Sequence, residues 1–122
     1  MGRILVVDDE ESISSMLEVV IGDQGHDVMI SPDGEHALQR LTQSERFDLV
    51  ITDIKMPKMD GRQLITSVRQ KKEFSDLPII IMSGYVGMAE IDDLMKSGAK
   101  AYLSKPINLK VLEAYIKDIV KS

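Results

Sequence analysis

Three acids and one lysine stand at the ends of apolar runs in this chain, and their types and order define a chemistry. Asp48-Leu-Val-Ile-Thr-Asp53 delivers a carboxylate into the loop Ile54-Lys55-Met56-Pro57-Lys58-Met59-Asp60-Gly61. Ile4-Leu-Val-Val7 runs into Asp8-Asp9, and Ala101-Tyr-Leu-Ser104 runs into Lys105-Pro106. If these strands are parallel neighbours, one crevice collects Asp8, Asp9, Asp53 and the Lys105 ammonium. At about 4 Å and an effective dielectric of about 20, each carboxylate pair repels by about 4 kcal/mol. Without compensation one acid would stay protonated. A hard divalent cation removes the penalty, and Mg²⁺ is commonly held by one or two carboxylates, waters and phosphate oxygens. The crevice therefore reads as a weak Mg²⁺ site that awaits a phosphoryl group. Asp53 is the candidate nucleophile, and Lys105 the charge that neutralises phosphoryl oxygens. Ser83, closing Ile79-Ile-Ile-Met-Ser83-Gly84, offers a hydroxyl to the same group. A cis bond before Pro106 would aim Lys105 inward.

Taken singly, each residue has a plainer role. Asp8 or Asp9 serves as a helix cap, Asp53 as a turn residue and Ser83 as a capping serine. Lys105 serves as an exposed cation and Tyr102 as a half-buried strand residue. The joint pattern outweighs these roles, because four strand ends in the right order each carry the residue type the chemistry needs.

The elements that position these residues alternate. Strands are expected at Arg3–Val7, Asp27–Ile30, Phe47–Thr52, Pro78–Met82 and Ala101–Leu103, short and mostly apolar on both faces, as parallel strands covered by helices are. Helical spacing follows each one. Ile13, Met16, Leu17, Val20 and Ile21 mark the first helix, and Ala37, Leu38 and Leu41 the second. Leu64, Ile65 and Val68 mark the third, and Ile91, Leu94 and Met95 the fourth. The fifth carries Leu109, Leu112, Ile116 and Ile119, with Asn108 placed to cap it. Gly25 and Gly98 fall where left-handed helix terminators belong. This is (βα) repeated five times, an α/β doubly wound parallel sheet built with right-handed crossovers. A flavodoxin-like strand order of 2-1-3-4-5 makes strands one and three neighbours, and ligands of such sheets bind outside the carboxyl ends.

At 122 residues the chain fits one domain, 1–122, and 43% hydrophobic content suits a globule with a core. A net charge of −5 disfavours direct nucleic-acid binding and anionic membranes. The basic cluster Arg69-Gln-Lys71-Lys72 reads as a solvated helix end. With no cysteine, thiolate metal sites and disulfides are excluded. No run approaches the roughly 20 apolar residues that span a bilayer, and cytoplasmic residence is the default expectation. The chain could be a complete small protein or one domain of a longer one.

Along residues 3–121 the chain resembles the receiver domains of two-component response regulators. The resemblance is carried by Val6-Val7-Asp8-Asp9-Glu10, by Asp53-x-x-Met56-Pro57-x-Met59-Asp60-Gly61, by Met82-Ser83-Gly84 and by Lys105-Pro106. It implies a phosphorylation-activated switch rather than an enzyme with an external substrate, one that catalyses only its own phosphorylation and dephosphorylation. Asp53 would be the phosphoacceptor. Asp9 and Asp53 would bind Mg²⁺ directly, Asp8 through the outer shell, and Lys55 through its backbone carbonyl. Ser83 and Lys105 would contact the phosphoryl group, and Tyr102 would swing inward when Ser83 moves. The implied upstream partner is a sensor histidine kinase or a histidine phosphotransfer domain, with an unspecified downstream effector.

Lys55 and Tyr85 are expected to overhang the crevice and slow hydrolysis, and Ser83 stands where many relatives carry Thr. Phosphorylation adds about −1.5 to −2 charge, and the expected response is a repacking of the helix 4–strand 5–helix 5 face. Val86, Met88, Tyr102 and Lys110 are its exposed candidates, while Met16, Met82 and Met95 read as core. Other classes fit less well. A flavin module needs a first loop that cradles phosphate, and Asp8-Asp9-Glu10-Glu11 repels it. An aspartyl phosphatase wants a second acid two residues after Asp53, where Lys55 stands. A docking domain that lost the chemistry ranks last, since nothing the chemistry needs is missing.

Overall fold

Apolar strand and amphipathic helix alternate throughout the computed structural model, which describes residues 2–43, 46–84 and 87–120. The order is β1 (Arg3–Val7), α1 (Glu11–Asp23), β2 (Asp27–Ser31), α2 (Gly34–Thr42), β3 (Leu49–Asp53), α3 (Gly61–Arg69), β4 (Ile79–Ser83), α4 (Met88–Lys96), β5 (Ala101–Ser104) and α5 (Leu109–Ile119). A single 3₁₀ turn, Lys72–Phe74, lies between α3 and β4 and was not expected from the sequence. The strands form one parallel sheet in the order β2-β1-β3-β4-β5, the arrangement that the acidic strand ends required.

Alternate side chains of each strand enter opposite layers, which is why the strands read as continuously apolar. Leu5, Val7, Val50, Ile79 and Ile81 pack beneath Ala37, Leu41, Leu64, Ile65, Val68 and Leu94 of α2, α3 and α4. Ile4, Val6, Leu49, Ile51, Ile80, Met82 and Leu103 pack beneath Leu17, Ile21, Leu112 and Ile116 of α1 and α5. Each large side chain so buried contributes about 1.5–3 kcal/mol.

Helix ends follow from local chemistry. Asp33 caps α2 by accepting from the His36 N–H, Asp60 and Gln63 form a reciprocal capping box on α3, and Asn108 accepts from two N–H groups of α5. Gly25 and Gly98 terminate α1 and α4 with φ of 94° and 122°. Three expectations are corrected. The ladder carries β3 and β4 through Asp53 and Ser83, because these pair with Met82 and Ser104. Arg69 is not a solvated end: its guanidinium donates to the carbonyls of Phe74 and Gly98, both at 2.7 Å. Met95 is 36% exposed rather than core, since α4 buries Leu94 alone. No helix among the described residues is long and apolar enough to cross a membrane.

Candidate functional site

At the carboxyl edge of the sheet, the ends of β1, β3 and β5 meet. Asp53 is the last residue of β3 and is buried. Its Oδ1 accepts from the Ile54 N–H at 2.7 Å, so one carboxylate oxygen is tied to backbone and Oδ2 faces the pocket. Gly61 explains why the following loop can close so tightly. Its N–H reaches the Ile54 carbonyl at 2.7 Å, and a Cβ there would collide with the Asp53 carbonyl. Asp8 follows β1 and is also buried, its Oδ1 accepting from the Glu10 N–H at 2.9 Å. Lys105 follows β5 over a cis bond to Pro106, and its N–H donates to the Ser83 carbonyl at 2.8 Å. Its ammonium reaches Asp53 Oδ2 at 2.9 Å, Glu10 Oε1 at 3.2 Å and Asp8 Oδ2 at 3.3 Å.

The electrostatics follow from this packing. Burial raises the pKa of Asp8, aided by the Asp53 charge, against the pull of the Glu10 N–H and Lys105. Burial alone would lower the Lys105 pKa. The Asp53 hydrogen bond and charge, the Asp8 charge and the Glu10 hydrogen bond outweigh it, so Lys105 holds its proton above the ordinary lysine range. The ammonium thus acts as the shared counter-ion that lets the acids coexist.

The remaining expected residues border the same depression of about 380 Å³, lined by Asp9, Glu10, Asp53, Lys55, Ser83, Gly84 and Lys105. Ser83 is buried at the end of β4, and α4 is capped at Gly87 instead, so Ser83 is not a capping serine. Its carbonyl accepts from the Tyr102 hydroxyl at 3.3 Å, which ties the half-buried ring to the site. Lys55 and Asp9 are exposed on the rim. Tyr85 and Val86 lie outside the described residues. Met88 and Lys110 are exposed as expected.

Carboxylate oxygens of Asp8, Glu10 and Asp53 lie within 4.8 Å of one another. Such an all-oxygen, anionic donor set fits a hard divalent cation such as Mg²⁺. Glu10 is the member that sequence reasoning missed. It stood in the Asp8-Asp9-Glu10 motif without a role, and only the direction of its side chain reveals one. Neither Asp8 nor Asp9 caps α1; Glu10 occupies that position.

Comparison with known proteins gives a consistent picture. The family model for the response regulator receiver domain matches residues 4–117. The chain is 34% identical over 119 residues to a chemotaxis protein CheY homolog of Campylobacter jejuni, covering 97% of this chain and 92% of that protein. It is 35% identical to the alkaline phosphatase synthesis transcriptional regulatory protein PhoP of Bacillus subtilis, covering 98% of this chain and 48% of that protein. The crystal structure of Vibrio cholerae chemotaxis protein CheY4 superimposes with a TM-score of 0.90 at 30% identity, over 98% of this chain and 99% of that one.

Proposed function

Because the chain belongs to the response regulator receiver domain family, we propose that residues 1–122 form one phosphoacceptor unit that takes a phosphoryl group onto Asp53 from a histidine kinase or a histidine phosphotransfer domain. The observation that carries this reading is the Lys105 ammonium held 2.9 Å from Asp53 Oδ2 at the mouth of an acidic depression. Asp53 Oδ2 attacks phosphorus and forms an O–P bond. The donor's P–N bond breaks, and its electron pair returns to the imidazole nitrogen, which takes a proton from solvent. Phosphoryl transfer needs positioning and charge neutralisation more than covalent help. The backbone hydrogen bond to Oδ1 fixes the attacking carboxylate, and Lys105 and the Ser83 hydroxyl receive the phosphoryl oxygens.

Asp53 and the rim residue Asp9, with Asp8 behind them, the Lys55 carbonyl beside them and the Glu10 carboxylate facing the same space, would hold Mg²⁺. When bound, this ion supplies the charge neutralisation that brings an anionic phosphoryl group to an anionic carboxylate. As the Ser83 hydroxyl and the Lys105 ammonium turn toward the phosphoryl group and the Ser83 backbone follows, the Tyr102 hydroxyl is released from the Ser83 carbonyl. The α4–β5–α5 surface repacks and an effector reads it. The net charge of −5 supports a protein partner over a nucleic acid or a membrane, and a histidine kinase or phosphotransfer donor of this kind would meet the chain in the cytoplasm. Hydrolysis of the chain's own acyl phosphate is the only other turnover.

Incubation with phosphoramidate and Mg²⁺, followed by intact-protein mass spectrometry, is expected to give one base-labile phosphoryl adduct. Asp53→Asn is expected to give none. An adduct formed by that variant at the wild-type rate, or its absence from wild type, refutes the reading.

A further inference from the structure

Glu10 stands apart from the other two acids that share the Lys105 ammonium. The side chain of Asp8 is fully buried and that of Asp53 is 9% exposed, whereas that of Glu10 is 57% exposed. Both buried carboxylates spend one oxygen on a backbone N–H. Glu10 has no such anchor. It occupies the N-cap of α1, where a short polar side chain normally satisfies the first turn, yet its side chain makes no cap bond. The carboxylate turns away from its own helix and reaches Lys105 at 3.2 Å. The ammonium is therefore held by two fixed acids and one that can let go.

We propose that Glu10 is a positioning residue that competes with the incoming phosphoryl group for Lys105, and so sets how readily the pocket accepts an anionic donor. This rests on the phosphoacceptor reading given above. A phosphoryl oxygen can gain Lys105 only as a carboxylate gives it up. Asp8 is packed and backbone-bonded, and Asp53 is the group being phosphorylated, which leaves Glu10 as the one to yield. The same negative charge at the pocket mouth repels a phosphoanion and attracts a divalent cation. Removing it therefore moves the two affinities in opposite directions.

Glu10→Gln keeps the size and the helix and removes only the charge. Two measurements test it: Mg²⁺ titration of the unphosphorylated protein without donor, and adduct formation against phosphoramidate concentration at saturating Mg²⁺. We expect Mg²⁺ half-saturation to rise and donor half-saturation to fall, each by up to about fivefold as for a partly exposed charge. General damage to the pocket would weaken both together. A donor half-saturation that stays the same or rises overturns the role of Glu10, provided wild type forms its adduct and Asp53→Asn does not. If that control fails, the phosphoacceptor reading falls and this inference falls with it.

Discussion

The single positive charge of Lys105 neutralises a cluster of three acids. Its pKa in the folded chain lies above the ordinary 10.5 because Asp53, Asp8 and Glu10 together overcome the effect of burial. A lysine whose folded pKa is raised stabilises the fold fully below its unfolded value and loses that contribution as pH rises through the folded one. In metal-free protein, the stability difference between wild type and Lys105→Met is therefore expected to stay level up to about pH 10 and shrink above it. Urea unfolding across that range checks the sign, and a difference that grows with pH contradicts it. At this scale Asp8, Asp53 and Lys105 were legible because each follows an apolar run, and a strand end has few places to point. Glu10 was not, because the path of its side chain depends on a lysine 95 residues away. Arg69 was misread for the same reason, its two carbonyl partners being supplied by the 3₁₀ turn and by Gly98.

Among the five α-helices, α4 buries the fewest residues. It buries only Leu94, and its N-cap is Gly87 with no side-chain bond. Arg62 of α3 supplies a second hold by forking to Glu90 at 3.5 Å and to Asp93, two α4 residues one turn apart. An exposed fork of this kind is worth at most about 1 kcal/mol to the whole fold, but it acts on the helix that has least else. Arg62→Ala is expected to speed amide exchange in α4 while lowering global stability by less than about 1 kcal/mol. Equal exchange in both proteins would remove Arg62 as a restraint. The strands and helices themselves were readable from period and caps. Strand ends were less so, because Asp53 and Ser83 look like loop residues until the ladder pairs them with Met82 and Ser104.

For the molecule as a whole, stability and chemistry are spatially separate. Two apolar layers flank the sheet, and the acids gather along one rim. Ile80, fully buried on the α1 and α5 side, can be truncated to Ala at a cost of about 2–5 kcal/mol. Denaturant unfolding is expected to register that loss. The half-saturating donor concentration of the folded fraction is expected to remain near wild type. The strand order was reached from chemistry before geometry, since only β1 beside β3 brings Asp8 to Asp53. No local pattern encodes that adjacency, which arises from pairing between distant segments. The same sheet also divides the pocket into unequal halves. Asp53 belongs to the central strand, clamped by neighbours on either flank, whereas Lys105 trails from the outermost strand, which has a neighbour on one flank only. The Asp53 carboxylate is thus fixed in the middle of the sheet, and its counter-charge comes from the sheet's margin. Substitutions along the margin can then shift the ammonium while the carboxylate it faces stays in place.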